Sequence, residues 1–161
     1  MRKMMIMPLV ALAIISVSAQ GVLACTTGTP GYWKNHPEAW PTGIVRVGST
    51  DYSLPRQVAK NALMEMLTTN PGKISDKLLQ AQIILKQKIV AAQLSMLKYP
   101  GWTNPDTGIP DWGQAWYFDG YTGGMVGLIS DANTALQGTD RAEILRFASL
   151  IDYWLNYWDR D

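Results

Sequence analysis

Apolar residues recur at third and fourth positions through four stretches of this chain and alternate with polar ones in one short stretch. The alternating piece, Ile44-Val45-Arg46-Val47, ends at Gly48 and predicts a short strand, paired with Asp51-Tyr52. Ser53 then reads as an N-cap with Pro55 in the first turn of a helix. That helix places Val58, Ala59, Ala62, Leu63, Met66 and Leu67 on one face, and Asn70-Pro71-Gly72 stops it. The second helix carries the strongest pattern. Ser75 is its expected N-cap, with Ile74 stapled onto Leu79. One apolar row runs Leu78, Ala81, Leu85, Ile89, Ala92 and Met96, flanked by Leu79, Ile83, Val90, Leu94 and Leu97. So broad a band predicts a central helix, about 36 Å long over residues 75–98, ended by Pro100-Gly101.

Residues 102–120 read as a loop, long against the usual ~4–6 residues. Thr122 opens a third helix that runs through Leu136 and closes at Gly138. Asp140 and Glu143 form a pair resembling a capping box for the last, with Ile144, Phe147, Ile151, Trp154 or Leu155, and Trp158 on one face. The expected fold is all-α in the main: about four helices under an irregular, aromatic N-terminal cap containing a short strand or hairpin.

The chain's start changes the picture of its length. Arg2 and Lys3 precede an apolar run over residues 4–17 that ends in small residues, as in a secretory signal. At ~14 residues it is short for a bilayer span, which takes about 20. Of the 161 residues, 1–24 are therefore assigned to a signal peptide and 25–161 to one domain: a cap over 25–52, then helices over 53–161 interrupted by an aromatic loop at 100–121. Cleavage after Ala19 competes with cleavage after Ala24, and Val22-Leu23-Ala24-Cys25 resembles a lipobox. Cys25 is thus a candidate for lipidation, or else a free or intermolecularly paired thiol. A lipid there would be the chain's sole membrane attachment.

Composition narrows the chemistry. One histidine and one cysteine stand against seven tryptophans and seven tyrosines, which nearly excludes sites needing two histidines, two thiols or a His–Cys zinc cluster. No GxSxG, HExxH or P-loop pattern occurs. A carboxylate-dependent hydrolase remains as a third-ranked reading, because Glu38, Glu65 and Glu143 accompany ten aspartates. Charge is uneven: residues 56–98 hold seven basic and two acidic side chains, residues 99–161 three basic and nine acidic. The halves either face each other within the fold or meet between molecules. Without a net basic balance, nucleic acid is not an expected partner.

Residues 31–41, Gly-Tyr-Trp-Lys-Asn-His-Pro-Glu-Ala-Trp-Pro, form the chain's most distinctive motif. They resemble the GYWKNHPEAWP signature of an uncharacterised family of bacterial exported and cell-surface proteins, and the likeness continues more loosely through Ile44–Val47, Tyr52-Ser53 and Ala91-Ala92-Gln93-Leu94. The resemblance implies a stand-alone secreted domain or a surface module, with no catalytic residues to carry over. One departure is that family members often carry a second cysteine before the third helix, where this chain reads Gly123-Gly124-Met125.

Within the signature, Tyr32, Trp33 and Trp40 bring large amphipathic rings, and Lys34, Asn35, His36 and Glu38 bring polar chemistry. Asn35 or His36 is the expected cap of a single turn begun by Pro37 and Glu38. Two readings stand. Either the aromatics dock the cap while His36 satisfies a buried polar contact, or His36 and Glu38 form a polar pair in a recognition site. In the long loop, Trp102, Trp112, Trp116, Tyr117 and Tyr121 either cover helix ends or form a platform for sugar rings or a protein partner. Asn104, Asp106 and Asp111 are a calcium candidate without the spacing or bidentate glutamate of an EF-hand. On the last helix, one of the rows Tyr153–Tyr157 and Trp154–Trp158 belongs to the core and the other to an interface, making Tyr157 and Trp158 candidates. No cofactor is expected. The leading function is a non-catalytic exported surface or extracellular module working through protein contacts or self-association, and the alternative is a carbohydrate-binding module using the aromatic loop.

Overall fold

The structure, a computed structural model, describes residues 28–99 and 124–157. They form five helices and one antiparallel hairpin: α1 (Pro30–Asn35), β1 (Gly43–Val47), β2 (Thr50–Leu54), α2 (Gln57–Thr68), α3 (Lys77–Lys98), α4 (Gly124–Ala135) and α5 (Arg141–Tyr157), with single 3-10 turns at Pro37–Ala39 and Pro71–Lys73. The mainly helical class and the hairpin are as expected. The short α1 is an addition to the four helices read from the pattern. Its start is nonetheless orthodox: the Thr29 hydroxyl accepts from the Tyr32 N–H at 3.3 Å, and Pro30 occupies the first turn.

The hairpin runs in the register Gly43↔Leu54 through Val47↔Thr50. Gly48 opens its two-residue turn with φ 61°, the positive value that both primed turns require there. This ladder displaces the expected helix start. Ser53 pairs with Ile44 inside β2, Pro55 holds Leu54 extended, and the Ser53 carbonyl accepts from the Arg56 N–H at 3.1 Å before α2 begins at Gln57. On α2 the buried stripe is Ala59, Leu63 and Leu67. Val58, expected on that face, lies one residue off it, about 100° round the helix, and is 83% exposed.

The central helix is α3, which touches α1, α2, α4, α5 and β1. Its N-cap is Asp76 rather than Ser75: the Asp76 carboxylate accepts from the Leu78 and Leu79 N–H groups at 2.8 and 3.1 Å, where its charge also suits the positive end of the helix. Ala81, Leu85 and Ile89 are buried along one row, and towards the C-terminal end burial broadens to Val90, Ala91, Ala92, Leu94 and Ser95. Leu79 lies off this stripe and stays exposed. In α5, Asp140 caps through the Ala142 and Glu143 N–H groups, and Ile144, Phe147, Ile151, Trp154 and Leu155 are all buried. Trp154 and Leu155 therefore share the core. Lys88 on α3 and Asp152 on α5 form an ion pair where these helices pack.

Trp33 joins the cap to this framework. It is fully buried, its ring meets Tyr32 edge-on at 5.1 Å, and its indole N–H donates to the Ser95 hydroxyl at 3.1 Å. The Trp40 indole N–H in turn donates to the Trp33 carbonyl at 2.8 Å. Ser95→Ala leaves the Trp33 N–H buried without its acceptor and is expected to lower the unfolding free energy by about 1–3 kcal/mol. Trp33→Ala empties the ring's volume and is expected to cost about 3–5 kcal/mol. Denaturant titration followed by circular dichroism measures both, and a wild-type midpoint for Ser95→Ala would remove the indole bond from the cap's anchorage.

Candidate functional site

The signature residues divide by burial. Trp33 and Trp40 are buried, Tyr32 is half-buried, and Lys34, Asn35, His36 and Glu38 are exposed. His36 flanks the Pro37–Ala39 turn without a side-chain cap, so neither it nor Asn35 serves the capping role expected of them. Nor does His36 meet a buried polar contact. Its Nδ1 lies 3.0 Å from Glu38 Oε1 at the surface, and its ring lies 4.6 Å from that of Tyr32. The polar side chains of this segment face outward while the two indoles face in. The Glu38 carboxyl is held below its ordinary range by a backbone hydrogen bond and then by His36.

Several candidates lie outside the described residues: Cys25, Trp102, Asn104, Asp106, Asp111, Trp112, Trp116, Tyr117, Tyr121 and Trp158, together with the side chain of Tyr157. Among the described residues no three His, Cys, Asp or Glu side chains gather in a metal-binding group, and no helix is long and apolar enough to cross a membrane.

A different place among the described residues gathers polar side chains from three elements. Between β1 and α4 runs an open groove of about 710 Å³. From the hairpin come Ile44, Arg46, Gly48, Ser49 and Asp51; from α4 come Val126, Ile129, Ser130, Asn133 and Thr134, with Gln137 just beyond its end; Gln93 of α3 lies between them. The strand's alternation explains one wall, since Val45 and Val47 are buried while Ile44 and Arg46 face out. The other wall follows from helical spacing, with Val126, Ser130, Asn133 and Gln137 three or four positions apart.

Side-chain amides organise the groove. Gln93 Oε1 accepts from the Arg46 N–H at 2.9 Å, and its Nε2 donates to the Arg46 carbonyl at 2.6 Å. Asn133 Oδ1 accepts from the Gly48 N–H at 2.6 Å while its amide donates to the Ile129 carbonyl at 2.9 Å. Arg46 also grips Asp51 through two bonds of 2.6 and 2.9 Å. Those hydrogen bonds, and then the guanidinium's charge, hold the Asp51 carboxyl below its usual range and raise Arg46. The charges are mutually satisfied, so the groove presents hydroxyls, amides and two exposed aliphatic side chains, Ile44 and Val126. Of its residues the sequence marked only the alternating strand that carries Ile44 and Arg46, without its phase. Gln93 gave a fainter signal, as the polar residue inside the small, apolar Ala91-Ala92-Gln93-Leu94 segment.

Compared with family models, curated proteins and solved structures, the chain matches none. The groove is therefore interpreted from its own chemistry.

Because Asp51 is depressed in the folded chain, its pairing contributes stability above the ordinary carboxyl pKa of ~3.9, and that contribution is lost as pH falls through the lower folded value. Titration of the Asp51 carboxyl by NMR is expected to give a midpoint below ~3.9. In Arg46→Ala the midpoint is expected to return to that ordinary value, and an unchanged midpoint would contradict the pairing.

Proposed function

We propose that the chain is a non-catalytic exported module, at the cell surface or outside the cell, that works through protein–protein contacts, self-association among them. The observation that carries this reading is the segregation of surface charge by element. Arg56, Lys73, Lys77 and Lys98 are exposed on or beside α2 and α3 against Glu65 and Asp76, a basic excess, whereas Asp131, Asp140 and Glu143 are exposed on or beside α4 and α5 against Arg141 and Arg146, a slight acidic one. Lys88 and Asp152 join the two halves where the helices pack, and the other named charges lie at the surface. Surfaces of opposite sign on one molecule attract the complementary surface of the next and favour head-to-tail contacts. The basic start of the chain with its apolar run supports export, and its resemblance to the signature family supports a surface or secreted setting.

Such contacts weaken as salt shortens the Debye length from about 30 Å at 0.01 M to about 8 Å at 0.15 M. Size-exclusion chromatography with light scattering is expected to show oligomers of the purified protein at low salt that dissociate at high salt. A monomer under both conditions at high concentration would contradict self-association.

A further inference from the structure

The outer edge of β1 is only partly occupied by side-chain amides, and its direction is fixed by the register. With Val47↔Thr50 closing the two-residue turn as a hydrogen-bonded pair, the N–H and C=O groups of Arg46 and Ile44 point away from β2. At Arg46 a single carboxamide, that of Gln93, satisfies both groups at 2.9 and 2.6 Å. A carboxamide that accepts from a residue's N–H and donates to the same residue's C=O does what a neighbouring strand does. At Ile44 the corresponding groups form no hydrogen bond among the described residues, and its side chain is 59% exposed. The groove runs along this edge, with α4 as its far wall.

We propose that the groove binds an extended, uncharged peptide segment by strand addition to β1, with the Gln93 carboxamide as the displaceable stand-in for an incoming peptide unit. The dimensions suit a short segment: β1 from Ile44 to Val47 spans about 10 Å of strand, and α4 from Val126 to Ala135 about 14 Å of helix, room for about four extended residues. The chemistry selects neutrality, because Arg46 and Asp51 neutralise each other and the α4 wall offers Ser130 and Thr134. Ile44 and Val126 provide the aliphatic contacts, so alternating hydroxyl and β-branched side chains fit best. The occupant is an unstructured segment and not the folded β1 of a second copy, since α4 flanks β1 in each copy and keeps two such edges apart. This goes beyond the self-association above and does not depend on it.

The test is an NMR and calorimetric titration of the purified protein with a blocked pentapeptide of alternating valine and threonine. The amide signals of Ile44 and Arg46 are expected to shift, and Gln93→Ala, which removes the competing carboxamide, is expected to tighten binding about three- to tenfold. The same peptide N-methylated on alternate amides, which cannot pair with a strand on that side, is expected to bind at least about tenfold more weakly. No binding to either wild type or Gln93→Ala would overturn the proposal, as would indifference to N-methylation. Weaker binding in Gln93→Ala, accompanied by binding of a neutral tetrasaccharide such as cellotetraose at the same amides, would also overturn it and make Gln93 a sugar ligand. Circular dichroism confirms that the variant is folded, so an altered affinity reads the groove itself.

Discussion

A buried indole hydrogen bond holds the N-terminal cap to the helices. Trp33 has no exposed surface, and its N–H ends on Ser95, a hydroxyl within the most enclosed stretch of α3. A polar tip on a ring this large is tolerated in a core only where an acceptor meets it. Ser95 can meet it because its own hydroxyl donates to the Ala91 carbonyl one turn back, at 2.9 Å. Trp40 then fastens to the Trp33 backbone, so the two tryptophans of the signature form one continuous anchor from α3 into the cap. The polar members of the signature are outside because the aromatic ones are inside.

That anchor sets the position of the hairpin. The chain leaves Trp40 for Gly43, whose φ of 142° disfavours any side chain, and an added Cβ would stand 2.6 Å from Cδ2 of Leu97, so that leucine would have to shift. From there β1 runs beside α3 with Val45 and Val47 buried, and this places Arg46 within reach of Gln93 and Gly48 within reach of Asn133. A two-stranded ribbon is marginal alone. Here the helices supply the apolar backing on one face, and side-chain amides occupy part of the open edge. The groove is the space left between that edge and α4.

The helical class, the hairpin and the core faces of α3 and α5 were legible in the sequence, because burial leaves a local periodic mark. Errors fell where local signals compete. Ser53 and Ser75 each looked like a cap, but the first belonged to a strand ladder and the second yielded to the neighbouring Asp76, whose carboxylate reaches two N–H groups. The helix α1 was hidden by the glycines and prolines around it, although Thr29-Pro30 is an orthodox start. The groove was almost invisible for a different reason. Gln93 lies 47 residues from Arg46, and Asn133 lies 85 from Gly48; no periodicity encodes a pairing at that separation. Charge was the reverse case: its segregation was plain in the sequence, and the structure adds the Lys88–Asp152 pair that joins its two halves.

The two tryptophans of the chain's most distinctive motif thus work as an internal anchor, its His36–Glu38 pair lies at the surface, and a second set of surface groups lines the groove between β1 and α4. Hydrogen exchange at the indole N–H groups, measured by NMR, tests this most directly. Trp33 and Trp40 are expected to exchange only through opening of the core, with protection close to that of the α3 backbone amides. Exchange of either indole at the rate of an exposed tryptophan, in protein whose α3 amides remain protected, would contradict the internal anchor and return the signature to the surface.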